Sequence, residues 1–191
     1  LAMVGLEAMD DANLDDRPVE SVYVGNMASG LFNHQVSVAS ALVDRLSLFP
    51  AAAERIVNGP ASGGSAIKNG YLAVASGYHD VVLVVGGEKI REVIGPRATD
   101  LVACMTTPEA EYIYGVTLPA MGGMFARMYM DKYGVTRLHL AQVSIKNQEN
   151  GLLNPYAHIH MKITMEGILT HPQAHINNPV VAEPLHLYDC F

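Results

Sequence analysis

The stretch from residue 54 to residue 90 constrains the fold more than any other. Arg55-Ile56-Val57 is a short β-type run that leads into Asn58-Gly59-Pro60-Ala61-Ser62-Gly63-Gly64. A helical pattern continues to Gly77, and the apolar run Val81-Val82-Leu83-Val84-Val85 closes on Gly86-Gly87-Glu88-Lys89. This is a strand, a tight turn, a helix and a second strand. The Gly/Ser-rich turn lets the backbone swing sharply onto a helix N-terminus, where free N–H groups and the helix dipole favour a nucleophile or an anion. Gly63, Ala66, Gly70, Ala73 and Gly77 recur at helical spacing and form a stripe of small residues, with Ile67, Tyr71 and Val74 as the bulky stripe. Small residues permit close approach of another backbone, which predicts an almost fully buried helix. The pattern suits both an ordinary buried helix of an α/β domain and a functional elbow.

The residues upstream keep the same rhythm. Leu1 to Asn13 reads as a helix, Asp15-Asp16-Arg17-Pro18 as a turn, and Val19 to Val24 as a strand that stops at Gly25-Asn26. Met27 to Gln35 reads as a loop, Val36 to Leu46 as a helix, and Ala51 to Val57 as the run that leads into the elbow. Alternation of helix and strand predicts a mostly parallel α/β sheet.

After Glu88 the character changes. Residues 91 to about 178 have no convincing apolar β-run and form Met- and Gly-rich helical patterns instead, Gly122 to Tyr133 and Thr136 to Asn150. Thr136 is placed as an N-cap, and Leu138, Ala141 and Ile145 fall on one face. Asn154-Pro155-Tyr156 signals a turn, and Thr164 starts a short helix through Leu169. The expected organisation is an α/β part over 1–90, an inserted helical loop domain over 91–178, and a return segment over 179–191. The ten methionines suit core filling and would also suit an adaptable binding wall.

Composition narrows the function classes. Half the residues are apolar and 16% are charged, which describes a folded protein rather than a disordered one. A formal net charge of −7 argues against a nucleic-acid or membrane-surface binder, which would need a basic face. No apolar run approaches the roughly 18 residues that span a bilayer. Leu1 opens directly into a helical pattern with no signal peptide and no initiating Met, so the chain reads as truncated. Its two cysteines, Cys104 and Cys190, lie far apart, make no metal spacing and imply a reduced, cytoplasmic setting.

The elbow resembles that of the thiolases, especially the sterol-carrier-type and archaeal acetoacetyl-CoA branch. That family reads Arg-Val-Glu-Ala-Ala-Cys-Ala-Ser-Gly-Gly, and Arg55 to Gly64 aligns with it without a gap. Glu88-Lys89-Ile90 matches the family's strand end. Upstream, Val24-Gly25-Asn26-Met27 and Leu31-Phe32 are similar too. Downstream, Tyr133-Gly134-Val135-Thr136-Arg137, Asn147-Gln148-Glu149-Asn150, Asn154-Pro155-Tyr156-Ala157-His158 and Val181-Ala182-Glu183-Pro184-Leu185 look like the family's loop domain. One departure stands out, because Pro60 occupies the position of the family's nucleophilic cysteine.

The resemblance implies a thiolase-like α/β fold with an inserted helical loop domain, truncated at both ends. It also implies that the missing first strand is central in the family sheet, leaving a gap. The implied activity is acyl-CoA C-acyl transfer of the acetyl-CoA acetyltransferase kind, as 3-oxoacyl-CoA thiolysis or Claisen condensation. Coenzyme A enters as a substrate, with no covalently bound cofactor. Implied assemblies are a homodimer or larger, pairing through the strand Ala52 to Val57, and a zinc-ribbon/OB-fold partner subunit. The alternative is a non-catalytic subunit that binds acyl-CoA or scaffolds a catalytic partner.

Pro60 has neither a nucleophile nor a backbone N–H, although proline suits the first turn of a helix, so the fold is kept while the covalent chemistry is lost. Ser62 is the nearest side chain that could substitute, but the family carries a serine there as a packing residue, so it is a weak candidate. Tyr114-Gly115-Val116-Thr117 falls where the family's loop domain contributes to the acyl pocket, which makes Tyr114, Gly115 and Thr117 substrate candidates. His34 could line a pocket or sit on a surface loop. Cys104 is expected to be a buried, inert thiol. His171 and His175 have metal-like spacing, but Pro172 breaks the helix between them, so no metal site is expected.

Overall fold

The computed structural model describes residues 1–14 and 16–170. His171, His175, Cys190 and the segment 179–191 lie outside the described residues. The chain divides into two compact units, Leu1–Met105 and Thr106–Phe191.

The first unit is built on three parallel strands. β1 (Ser21–Gly25) lies between β2 (Ala52–Ile56) and β3 (Val82–Gly86), with Val22 opposite Ala53 on one side and Leu83 on the other. The gap that the resemblance implies is therefore not present, because the backbone of β1 is hydrogen-bonded along both edges. All five residues of β1 are buried, as befits the central strand of a parallel sheet covered on both faces. Side chains alternate across it with the strand period of two. Val22 and Val24, with Leu83 and Val85 of β3, pack against Ala39, Leu42 and Val43 of α3 (Val38–Arg45). Ala2 and Met9 of α1 (Ala2–Asp11) complete that side. Burying each of the two valines contributes about 1.5–3 kcal/mol.

Tyr23 points to the opposite face, where α4 (Ser62–Ala75) lies with Ala66 and Ala73 against it. The small-residue stripe does what close packing requires. A β-carbon on Gly70 would stand 2.5 Å from the Val84 Cγ2 methyl, so α4 lies on the sheet at a distance only glycine permits. The helix is not almost fully buried, however. Ser62, Ala66, Gly70 and Ala73 are buried, while Ile67 and Tyr71 are 65% and 71% exposed and Gly63 and Gly77 face outward. One face of small residues is enough to seat a helix on a sheet, and the bulky stripe points away from it.

Between β1 and α3 the expected loop contains a short helix, α2 (Ser29–Phe32), with Phe32 buried. α5 (Gly95–Ala103) packs against α2 and buries Ala103, so residues 91–105 belong with the sheet. The compact division thus falls after Met105 rather than at residue 90.

In the second unit, α6 (Leu118–Tyr133) begins a turn earlier than glycine-based reading suggests, because Thr117 caps it and proline stands in its first turn. α7 (Arg137–Gly151) starts after Thr136, whose N–H donates to His139 Nδ1 at 3.1 Å. α8 (Met165–Thr170) starts after Thr164, whose hydroxyl accepts from the Gly167 N–H at 3.1 Å. Ala141 and Ile168 form the small core between α7 and α8 with Leu140 and Ile145, whereas Leu138 is exposed. No strand follows Gly86 among the described residues.

Candidate active site

The carboxyl ends of β1, β2 and β3 come together on one edge of the sheet, the edge where open parallel α/β sheets place their sites. β2 delivers the elbow there. The Asn58 carbonyl accepts from the Ala61 N–H at 3.0 Å and the Gly59 carbonyl from the Ser62 N–H at 3.2 Å, which closes a tight turn. Gly59 takes φ +51°, a left-handed conformation that favours glycine. Ala61 is the N-cap of α4 and Ser62 its first residue. Pro60 stands just before the cap, exposed, and not in the first turn of the helix. Its fixed φ serves the turn rather than the helix.

Ser62 is buried and its hydroxyl is engaged on both sides. It donates to the Gly59 carbonyl at 2.6 Å and accepts from the Asn58 N–H at 2.9 Å. Asn58 Nδ2 adds a bond to Ser65 Oγ at 2.8 Å. A serine held this way locks the elbow. A nucleophile would need its proton directed at a base and its oxygen open to substrate, and Ser62 has neither.

Next to the elbow, the loop leaving β1 is gripped by two charged side chains. Arg55, on β2, donates from Nε to the Asn26 carbonyl at 3.2 Å and from Nη2 to the Met27 carbonyl at 2.8 Å. Glu88, just past β3, accepts at Oε2 from the N–H groups of Met27 at 2.8 Å and Ala28 at 3.0 Å. Its Oε1 accepts from Asn26 Nδ2 at 2.9 Å, and that amide also donates to the Gly87 carbonyl at 2.8 Å. Asn26 Oδ1 accepts from the Ser29 N–H at 3.1 Å, near the start of α2. Side chains from the two flanking strands thus close over the end of the middle one. Arg55, Asn26 and Glu88 stand in the matched motifs, where nothing local assigns them a role. The available signal was a charge set at a strand end in a chain that is only 16% charged.

The remaining candidates are placed as follows. His34 is exposed in the loop after α2, with φ +56°. Its neighbour Asn33 reaches the Lys89 carbonyl beyond β3 at 3.3 Å, so this loop rims the same sheet edge. Tyr114, Gly115 and Thr117 belong to the second unit. Tyr114 ends a 3-10 turn over Tyr112–Tyr114 and is 74% exposed, and Gly115 leaves that turn at φ +84°. Thr117 is buried, and its hydroxyl accepts from the Ala120 N–H at 3.3 Å as the cap of α6. Cys104 is exposed and not a buried thiol; it sits at the C-cap of α5, next to the buried Ala103. His160 Nε2 lies 2.9 Å from the Asn154 carbonyl in a local turn. No group of three His, Cys, Asp or Glu poised for a metal occurs among the described residues.

Residues 1–191 match the family model for the N-terminal domain of thiolase. An acetyl-CoA acetyltransferase of Methanothermobacter thermautotrophicus is 41% identical over 186 residues, covering 97% of this chain and 46% of that protein. An acetyl-CoA acetyltransferase of Methanocaldococcus jannaschii is 37% identical over 186 residues, covering 97% of this chain and 45% of the other. Benzoylsuccinyl-CoA thiolase subunit BbsB of Thauera aromatica is 29% identical over 188 residues, with 97% and 45% covered. The chain spans about half the length of the curated relatives it matches. Matched along its whole length, with the elbow at the carboxyl edge of a parallel sheet, the chain belongs to the thiolase family.

Proposed function

We propose that the protein acts on acyl-CoA thioesters as a C-acyltransferase of the acetyl-CoA acetyltransferase kind, by 3-oxoacyl-CoA thiolysis or by Claisen condensation. The observation that carries this reading is the family match over residues 1–191 together with an elbow set at the converging strand ends. Coenzyme A is a substrate here, and the reaction calls for no bound cofactor. With proline at position 60, no acyl-enzyme forms at the elbow. Thiolysis then runs by direct attack of the coenzyme A sulfur on the 3-oxo carbon. The C2–C3 bond breaks, and the departing enolate carbon takes a proton. Loss of the covalent route leaves turnover slower by several orders of magnitude than a thiolate enzyme gives.

One observation favours a second reading, a non-catalytic acyl-CoA-binding or scaffolding subunit. Position 60 offers no nucleophile, and the Ser62 hydroxyl is committed on both sides. We further propose assembly as a homodimer or larger through β2, an edge strand of the sheet, and a cytoplasmic setting; a zinc-ribbon/OB-fold subunit is the proposed partner. No helix among the described residues is long and apolar enough to cross a membrane.

Full-length protein titrated calorimetrically with acetyl-CoA and assayed for coenzyme-A-dependent cleavage of acetoacetyl-CoA separates the readings. Binding with turnover supports the acyltransferase. Binding with no turnover supports the subunit. Absence of binding and turnover overturns the acyltransferase and leaves the subunit a scaffold that does not bind acyl-CoA.

A further inference from the structure

We propose that Arg55 and Glu88 act as one positioning unit that sets where residue 60 sits over the strand ends; this rests on the acyl-thioester reading above. The two side chains hold the same pair of consecutive peptide groups. In the first, the Asn26 carbonyl accepts from Arg55 and the Met27 N–H donates to Glu88. In the second, the Met27 carbonyl accepts from Arg55 and the Ala28 N–H donates to Glu88. Each peptide dipole therefore lies between a cation and an anion, and all four bonds are charge-assisted. Bonds in such a chain polarise one another, so removing either end weakens the other.

The geometry links this clamp to the elbow. Arg55 is the penultimate residue of β2, and the turn that carries Pro60 begins at Asn58, two residues past the end of that strand. Glu88 stands two residues past the end of β3. The clamp therefore ties the end of the elbow-bearing strand, through the backbone of 26–28, to the far strand of the sheet. Its action on residue 60 passes through backbone, which makes both residues positioning residues.

The test uses full-length protein carrying Pro60→Cys as the parent, into which Arg55→Lys, Glu88→Gln and both together are introduced. Lysine keeps the charge but cannot fork to two carbonyls. Glutamine turns an NH2 group toward N–H donors. Glu88→Asp replaces Glu88→Gln if the latter fails to fold. Amide hydrogen exchange is read at residues 26–28 and 58–62. Arg55→Lys is expected to speed exchange at Met27 and Ala28 by about tenfold, although Arg55 touches only carbonyls there. The double variant is expected to change no more than the larger single. Acetyl transfer from acetyl-CoA to the introduced cysteine is followed by intact mass at varied acetyl-CoA. The limiting rate should fall at least about tenfold with the half-saturating concentration unchanged. Additive exchange effects, or an unchanged limiting rate in folded variants, overturn the proposal. A parent that takes up no acetyl group shows that residue 60 does not face the thioester and overturns the positioning role, while the acyl-thioester reading is decided separately by the binding and cleavage assays above. The exchange data then show separately whether the clamp itself holds.

Discussion

Arg55 and Glu88 hold two consecutive peptide groups, 26–27 and 27–28, from opposite sides, the guanidinium on the carbonyls and the carboxylate on the N–H groups. A loop leaving the middle strand of a sheet must find partners for backbone groups that the ladder no longer serves. Here the flanking strands supply them through their side chains. The arrangement stiffens the sheet edge on which the elbow sits, and it makes that edge sensitive to single changes.

Glu88→Ala is expected to destabilise the protein by about 2–4 kcal/mol. It removes the acceptor of two backbone N–H groups and one of the two acceptors of the Asn26 amide. Chemical denaturation of full-length protein checks this. A loss below half a kcal/mol would show that water replaces the carboxylate without penalty.

Close approach of α4 to the sheet gives a paired prediction. A β-carbon on Gly25 would stand 2.9 Å from the Gly63 Cα and 3.0 Å from the Ser62 carbonyl oxygen, both backbone atoms that cannot swing aside. Gly25→Ala should therefore cost about 1–3 kcal/mol through overpacking. Gly64 lies in the same helix with open space where its β-carbon would be. Gly64→Ala should stabilise by about 0.5–1 kcal/mol. Thermal unfolding of the two variants must move in opposite directions.

Much of this fold was legible in the sequence, for a physical reason. Val22 and Val24 alternate with Tyr23, and Gly70 and Ala73 recur at helical spacing, so local pattern and tertiary packing agree. Thr164 acts as the cap its position suggests. What escaped was of another kind. The clamp joins residues 55, 26 and 88, and no local pattern encodes a contact between sequence positions so far apart. The outward bulky stripe of α4 was misread because periodicity shows that two faces differ without saying how many are covered. Thr117 stands in its motif as a substrate candidate, and its part as the cap of α6 shows only with the observed start of that helix.

Ser62→Ala removes a hydroxyl that ties Asn58 to Gly59 across the elbow. The expected loss is about 1–2 kcal/mol, with the Asn58 N–H left to seek water. Peptide mapping after incubation with acetyl-CoA should find no adduct on Ser62 in the unmodified protein. An acetylated Ser62 would contradict the locking role.

An edge strand bears unpaired N–H and C=O groups, and β2 carries Ala52 exposed on its course. Ala52→Lys places a charge where a paired strand would lie. In full-length protein the substitution is expected to lower the assembly state seen by light scattering at micromolar concentration. A wild type that is already monomeric there would remove β2 from consideration as an interface.

The most informative substitution is Pro60→Cys. Pro60 is exposed and lies outside the helix, so a cysteine can replace its ring without disturbing the core. The turn bonds at this site belong to Asn58, Gly59, Ala61 and Ser62, and none of them is made by residue 60. The exchange also restores a backbone N–H at a point close to the N-terminus of α4, where the helix dipole favours a thiolate. If the rest of the machinery is intact in the full-length protein, a cysteine here should accept an acetyl group from acetyl-CoA. Turnover should then rise by at least about a hundredfold, since a missing nucleophile typically costs several orders of magnitude. Intact mass and thiolysis of acetoacetyl-CoA provide the two measurements. Acetylation with no gain in turnover would place the defect in proton transfer and favour the binding subunit. A folded variant that is neither acetylated nor faster would show that position 60 does not face the thioester, and the elbow would then have to be read as packing alone.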